Sequence, residues 1–380
     1  MIKKRSGNFL NFWMFLFFCH GALYFLTGDI YDENNPLKLL KYVILLVMLI
    51  TMIFSLRFNP VYRAVVLPFQ LYLSLIAMLY LFNGLSIYAV MMFLIPTVFY
   101  FFSEKIQYDT FLKILTAVSL IATAFAVMEF AFFRHISMRF SSTGFRSISI
   151  FVNPNNFGVF TSLTLALIVG SEPLFYKKYK PLIWIVAGIS IALSGSMTAV
   201  GIYSFIITSL IMSSIFHGKI SKLFICFAVL SIAAMSTLPY LNYGEHVRSV
   251  DSVGLNSVSA RFEYLHHFMN AVADNPFFPL FHDATLYADN AFVYAWISTG
   301  LIGAFGLFLI VLFMIYLSLV SKDHRKYLLF YLSILMAAMT TNILNIWPIA
   351  YIFWGVVGYS SSGAQPRMAN GTQPQVANNP

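Results

Sequence analysis

The chain contains few charged residues and few cysteines. Only 10% of its 380 residues are charged, whereas 59% are hydrophobic and the mean hydropathy is +0.79. A water-soluble domain cannot bury that much apolar surface, so the composition excludes a soluble globular protein and predicts an all-α polytopic membrane protein. Cys19 and Cys226 both fall inside apolar runs, which excludes a disulfide framework and a cysteine metal site.

Acidic residues are scarcer than basic ones, with 14 against 23 and a net charge of +9. The basic residues separate hydrophobic runs and form no long basic face. We therefore expect no nucleic-acid partner and interpret the charge as a topology signal. Residues 1–5 lead into an apolar run that ends near Leu26 without a small-residue cleavage site, which predicts an uncleaved first span.

Apolar runs of about 17–25 residues are long enough to cross a bilayer as helices. About twelve such runs are present, near residues 9–27, 37–56, 64–82, 85–102, 110–133, 157–170, 182–196, 198–216, 223–241, 297–320, 327–344 and 346–359. Residues 1–359 would form one transmembrane domain. The segment 360–380, rich in Ser, Gly, Pro, Asn and Gln, is predicted to be a disordered cytoplasmic tail.

The positions of Lys and Arg predict which side of the membrane each connection occupies. Lys3, Lys4 and Arg5 place the N-terminus in the cytoplasm, and alternation of the spans places the C-terminus there too. The same alternation puts most other basic residues on the cytoplasmic side, namely Arg57, Arg63, Lys105, Lys177, Lys178, Lys180, Lys219, Lys222, Lys322, Arg325 and Lys326.

Two predicted outer loops, 134–156 and 242–290, are long and charged. Long loops are translocated largely regardless of their charge, so their ionisable groups need another explanation. The second loop contains six of the 14 acidic residues: Glu245, Asp251, Glu263, Asp274, Asp283 and Asp289. A membrane protein that gathers ionisable groups outside its spans is expected to carry out its chemistry there.

In the first loop, Asn153-Pro154-Asn155 has the composition of a turn that caps a following helix. The start of that helix would direct its positive dipole end outward, close to Arg139 and Arg146. Two interpretations remain open. These side chains bind an anion such as a lipid diphosphate, or they form an ordinary capped turn with arginines at the lipid headgroups.

The second loop predicts an amphipathic helix lying on the outer leaflet, because apolar residues recur at helical spacing, at Phe262, Leu265, Met269 and Val272. Arg261, at its start, would bind a phosphate or form a salt bridge with Glu263, Glu245 or Asp251. Glu263 and His267 are four residues apart, but spacing fixes no third ligand, so no metal site is expected.

Asp289-Asn290 precedes the helical pattern that contains Gly300, Gly303 and Gly306. The pair is predicted to cap this helix, and the three glycines are predicted to form a small-residue packing face. A second interpretation gives Asp289 the role of a general base at the boundary between water and lipid.

Weaker signals complete the pattern. Glu129 lies near the outer end of the fifth predicted span, either as a site residue that faces the bundle or as a carboxylate that reaches the headgroups. Residues 194–198 are interpreted as a tight turn. His20, His217 and His324 are predicted to be interfacial and to have no catalytic role.

These motifs resemble those of the O-antigen polymerase and ligase superfamily, membrane enzymes that extend or transfer lipid-linked polysaccharides. The resemblance covers most of residues 110–320. It depends on three features in order: Arg146 followed by 153–158, Arg261 opening a helix that ends at Asn275-Pro276, and Asp289-Asn290 followed by 300–303.

The resemblance implies a bacterial inner-membrane glycosyltransferase that is inverting, independent of metal and cofactor, and active on the periplasmic face. Its donor would be an oligosaccharide on undecaprenyl diphosphate, and a chain-length regulator and membrane lipid are further expected partners. By the same resemblance, Arg146 and Arg261 hold the diphosphate, while Asp289 activates the acceptor hydroxyl. His282 and Glu263 are the other candidate bases.

Two departures from the family pattern matter. Met197 stands where members often carry an arginine after a Ser/Thr-x-Ser turn, so one expected diphosphate contact is missing. Asp289-Asn290 replaces the His-Asn pair of the ligase branch, which favours a polymerase, although nearby His282 leaves the ligase open. A transporter or flippase for the same lipid-linked sugars is disfavoured because the predicted spans contain almost no charge.

Overall fold

The computed structural model describes residues 2–23, 37–53, 60–83, 97–103, 105–132, 145–151, 153–215, 270, 272, 276–280, 290–344 and 347–362. Within these ranges the regular structure is helical and no strand occurs. We number the longer helices α1 Ile2–Cys19, α2 Leu37–Ile53, α3 Tyr62–Phe82, α4 Tyr108–Phe132, α5 Pro154–Ser171, α6 Leu174–Ser194, α7 Met197–Ile215, α8 Ala291–Val320, α9 Leu328–Thr340 and α10 Ile349–Ser362.

Three of these helices, α3, α4 and α8, are long and apolar enough to cross a membrane. Shorter apolar helices cover Asn8–Leu23, Leu40–Met52, Met197–Ser213 and Ile349–Ser361. For the described residues, the predicted all-helical fold and its compatibility with a membrane are therefore confirmed. The predicted span at 223–241 and most of the predicted outer loop at 242–290 lie outside the described residues.

Helix α5 lies at the centre of the bundle, where it contacts α4, α6, α7 and α9. Every residue from 156 to 169 is buried, as expected for a helix that is apolar on all sides. Close approach is possible at Gly158, because an added Cβ would lie 2.4 Å from Ser194 Oγ and 2.8 Å from Ala199 Cβ. Helix α5 therefore packs closely against the turn between α6 and α7.

One end of the bundle, which we call the Tyr108 end, is held by hydrogen bonds between helix termini. Tyr108 Oη lies 2.8 Å from Ser171 Oγ, so the start of α4 meets the end of α5. Tyr359 Oη donates to the carbonyl oxygen of Ile106 at 2.8 Å, and His324 Nε2 donates to that of Ser360 at 2.6 Å. These contacts bring the last turn of α10 and the connection after α8 to the same place.

Several basic residues that the sequence assigns to one side of the membrane lie at the Tyr108 end. They occupy the segments before α4, at the start of α6 and between α8 and α9, at Lys105, Lys177, Lys178, Lys180, Lys322, Arg325 and Lys326. The Lys326 ammonium lies 5.0 Å from the ring centres of both Tyr108 and Tyr327. Burial lowers the pKa of Lys326, and Asp323 opposes this effect.

The structure corrects the predicted start of the tail. The tail was expected from Ser360, yet α10 continues to Ser362, because Ser360 bonds both Tyr331 Oη and His324 and is 1% exposed. His324 lies on the connection after α8 and is buried at 3% exposure by the same contacts, while its interfacial position stays a prediction. His20 is also buried and packs on Trp347, with ring centres 4.7 Å apart. Local composition cannot reveal these contacts, because the residues that form them are far apart in the sequence.

Helix α8 is interrupted at Gly300, whose φ of 71° and ψ of 174° are not helical. An added Cβ there would lie 2.1 Å from the carbonyl oxygen of Phe277, so glycine is required by both the conformation and the close contact. The segment 276–280 packs into the interruption: Leu301 N donates to Pro276 O at 3.1 Å, and Leu280 N donates to Ile297 O at 2.9 Å.

The interruption leaves helix carbonyl groups without their usual partners, and α3 supplies replacements. Tyr80 Oη donates to Ser298 O at 2.9 Å, and Tyr72 Oη donates to Thr299 O at 2.5 Å. The predicted glycine face is confirmed at the two later positions, because Gly303 lies against Tyr72 and Gly306 against Phe69. Helix α3 thus both packs against α8 and satisfies its broken turn.

We expect Tyr72→Phe and Tyr80→Phe each to lower the free energy of unfolding by about 0.5–1 kcal/mol, since each removes one hydrogen bond to a freed carbonyl. Unfolding in mixed detergent micelles measures the loss. Tyr316→Phe, which alters a 58% exposed tyrosine on α8, is the control. Equal stability of all three variants would contradict the assigned role of the α3 tyrosines.

Candidate functional site

Three of the predicted site residues, Arg146, Asn153 and Asn155, lie within the described part of the chain. The other five predicted site residues, namely Arg139, Arg261, Glu263, His282 and Asp289, lie outside the described residues. The described three come together at the start of α5, opposite the Tyr108 end, and we call this region the Arg146 end.

Asn153 caps helix α5. Its backbone is extended, with φ −145° and ψ 129°, and its side-chain oxygen accepts hydrogen bonds from the backbone N–H groups of Asn155 at 2.8 Å and Asn156 at 3.4 Å. Pro154 occupies the first turn, where its missing N–H is harmless. The predicted capped turn is therefore confirmed, and these two N–H groups are occupied by the cap.

The Arg146 side chain spans two helix termini. Its Nη2 donates to Asn155 Oδ1 at 2.8 Å, and its Nε donates to the carbonyl oxygen of Ser194 at 3.2 Å. Both acceptors are uncharged, one at the start of α5 and the other at the end of α6. The guanidinium plane is therefore held in one orientation by two elements that pack against each other.

Gly195 allows Arg146 to lie across the turn between α6 and α7. Its φ is +56°, a left-handed conformation that ends α6. An added Cβ would lie 3.2 Å from Arg146 Cγ and 3.4 Å from Nε. The predicted tight turn is thus present and also supports the arginine. Met197, two positions later, begins α7 and is 80% exposed.

Glu129 faces inward from α4 and is only 1% exposed. Its carboxyl group accepts hydrogen bonds from Ser147 Oγ at 2.6 Å, from Ser149 N at 3.0 Å and from Ile148 N at 3.3 Å. The side chain therefore faces the bundle, as one of the two interpretations predicts, and its role in a site stays a prediction. The three donors directly follow Arg146 in the chain.

Asn290 connects the start of α8 to the end of α9. Its side-chain oxygen accepts from Phe292 N at 2.9 Å and Val293 N at 3.1 Å, which confirms the predicted cap, and its Nδ2 donates to Met339 O at 3.2 Å. The next residue, Thr340, lies 3.2 Å from Thr198 through their hydroxyl groups.

These contacts bring the predicted late-helix motif to the Arg146 end. Thr198 stands at the start of α7, immediately after the turn that supports Arg146. The start of α8, the end of α9 and the Arg146 turn therefore share one end of the bundle. Asp289, which precedes Asn290 in sequence, lies outside the described residues.

Sequence reasoning missed the residues that hold Arg146. The sequence pattern predicts only a turn at Ser194 and Gly195, and it predicts Asn155 to bind an anion or to belong to a capped turn, not to accept the hydrogen bond that orients the guanidinium. The sequence feature that could have indicated these contacts is the run of small residues at 194–196, which allows another side chain to lie close to the backbone. Within the described ranges, no group of three His, Cys, Asp or Glu side chains is arranged to hold a metal ion.

The sequence matches no protein-family model. A search of curated proteins also found no match.

We expect Asn153→Ala to lower the free energy of unfolding by about 1 kcal/mol, because it leaves two first-turn N–H groups of α5 without an acceptor. Asn153→Asp keeps an acceptor at the same distance and should retain most of the stability. Thermal unfolding in detergent distinguishes the two variants. An equal loss in both would show that the amide group, rather than the cap, is what matters.

Proposed function

We propose that this protein is a bacterial inner-membrane polysaccharide polymerase, which joins undecaprenyl-diphosphate-linked repeat units on the periplasmic face. The observation that supports this most is the oriented guanidinium of Arg146, held by Asn155 and Ser194 beside the start of α5. A fixed arginine at the positive end of a helix is suited to bind a diphosphate. The apolar helices fit a substrate anchored in lipid.

In the proposed reaction, the acceptor hydroxyl oxygen attacks the anomeric carbon of the donor sugar and inverts its configuration. The bond between that carbon and the diphosphate oxygen breaks, and the electron pair leaves with undecaprenyl diphosphate. Negative charge therefore grows on the leaving group in the transition state. Arg146, together with Arg261 and Arg139, would stabilise this charge without a metal ion.

A general base must accept the proton of the acceptor hydroxyl. Asp289 is the proposed base, and His282 and Glu263 are the alternatives. The support for Asp289 is the position of its neighbour Asn290, which caps α8 at the Arg146 end and bonds to α9. Asp289 directly precedes this cap in the sequence.

The proposed topology places the Tyr108 end in the cytoplasm and the Arg146 end in the periplasm. Its support is the set of lysines and arginines at the Tyr108 end, since cytoplasmic connections carry an excess of both residues. About twelve spans, cytoplasmic termini and a large periplasmic loop with an amphipathic helix complete the proposed arrangement. Membrane lipid, the lipid-linked oligosaccharide and a chain-length regulator are the proposed partners.

Purified protein in detergent, supplied with undecaprenyl-diphosphate-linked repeats, should produce longer chains, because polymerisation requires no separated compartments. We expect Arg146→Ala to lower the rate roughly 10²–10³-fold by removing stabilisation of the leaving group. Arg261→Ala should abolish product with expression intact. The matched control is Arg325→Ala, an exposed arginine at the opposite end of the bundle.

Product lengths resolved on a gel give the readout. Longer chains made by the wild-type protein would exclude a pure flippase, and chains that fail to grow would count against the polymerase. Unchanged activity of Arg146→Ala, with Arg325→Ala as reference, would remove Arg146 from the mechanism.

Deletion of the gene in a host that makes O-antigen separates the polymerase from the ligase, because the two enzymes differ in acceptor. A polymerase deletion should leave lipopolysaccharide with a single repeat, since transfer to the lipid A core continues. Bare core would indicate the ligase. Electrophoresis of lipopolysaccharide measures the difference, and complementation with the wild-type gene is the control.

A further inference from the structure

The segment that carries Arg146 has no regular structure of its own before Ser149. Residues 145–148 are neither helix nor strand, and a short 3-10 turn, Ser149–Phe151, follows. Such a segment cannot rely on its own backbone ladder to fix a side chain. The position of Arg146 must therefore be set by contacts with neighbouring helices.

On one side, the segment is attached to the end of α6. Ser147 N donates to Leu193 O at 2.8 Å, and Arg146 Nε donates to Ser194 O. On the other side, it is attached to α4 through the carboxyl group of Glu129. Ser149 Oγ also donates to Ala122 O at 2.6 Å on the same helix.

The Glu129 contacts form a compact anion-holding arrangement. Two consecutive N–H groups, of Ile148 and Ser149, and the hydroxyl of Ser147 all point at one carboxyl group. Ser149 has a φ of 48°, and a left-handed residue of this kind turns neighbouring N–H groups toward a common anion. In this protein, the group that occupies the arrangement comes from the chain itself.

The geometry of the contact suits a carboxyl group. Ile148 N and Ser149 N can only donate, and the Ser147 hydroxyl donates here, so both carboxyl oxygens act as acceptors. Glutamine would turn an amide NH₂ toward at least one donor, and alanine would leave all three donors without an acceptor in a buried place. Glu129 is therefore matched to the backbone of 147–149 rather than to the lipid surroundings.

We propose that Glu129 is a positioning residue for Arg146. It does not touch the diphosphate. Its carboxyl group holds residues 147–149 against α4, and this attachment sets where the preceding residue emerges toward Asn155 and Ser194. The inference rests on the proposed function, because it assumes that Arg146 binds the diphosphate.

The test is a double-mutant cycle with geranylgeranyl diphosphate as the probe, measured by calorimetry with the full chain in detergent. Arg146→Ala and Glu129→Ala should each weaken binding, by roughly 10- to 100-fold, because a small displacement of a bound group is enough. The double variant should bind no more weakly than Arg146→Ala alone, since Glu129 acts through the arginine.

Glu129→Gln serves as the second variant, because it keeps the side-chain volume and two acceptor contacts in reach. It should bind the probe with an affinity between those of wild type and Glu129→Ala, and it supports the same cycle if the alanine variant fails to fold. Ser190→Ala is the structural control. Ser190 is buried on α6 and lies 2.6 Å from Thr123 on α4, so its loss should reduce stability and leave probe affinity unchanged.

The outcomes separate the two ideas. Losses that add in the double variant, or wild-type affinity in both Glu129 variants, would overturn the positioning role and leave the diphosphate site intact. A matching loss of affinity in Ser190→Ala would mean that stability alone explains the effect. If Arg146→Ala binds geranylgeranyl diphosphate with wild-type affinity, the proposed function is contradicted, regardless of the result for the Glu129 variants.

Discussion

Backbone polar groups inside an apolar bundle must find partners within the protein, and the described helices of this chain are arranged around that requirement. Where α8 breaks at Gly300, two tyrosines of α3 and the segment 276–280 form hydrogen bonds with the freed backbone groups. Where the chain enters α5, Asn153 closes the first turn. Where residues 147–149 lack regular structure, a buried carboxyl group binds them. Each irregular point is satisfied by a residue distant in sequence or placed at a helix cap.

The same requirement explains why the guanidinium group of Arg146 has a fixed orientation. Arg146 donates to an amide oxygen and to a helix carbonyl, and these two contacts orient the guanidinium. The carboxyl group of Glu129 accepts hydrogen bonds from Ser147, Ile148 and Ser149, the three residues that follow Arg146. Positive charge is thus placed at the end of the bundle where the start of α5 adds its own positive dipole.

The helices and their caps could be predicted from sequence, whereas the long-range polar contacts could not. Apolar run lengths located α4 and α5 to within a few residues, and the caps at Asn153 and Asn290 follow from residue type next to a helical pattern. The break at Gly300 was invisible because glycine also suits a packing face. The partners of Arg146 and Glu129 were beyond reach, since Ser194 and Ser147 are brought near only by the packing of α4, α5 and α6.

The interruption at Gly300 divides α8 into two pieces whose rotational phases are independent. In an unbroken helix, inserting one residue rotates every later side chain by about 100°. Here such a rotation in 291–299 would end at the glycine, and the faces of 301–320 that meet α3 would keep their register. The first piece is fixed separately, by the contact of Asn290 with α9 and by the α3 tyrosines at Ser298 and Thr299, so each piece of α8 has a register of its own.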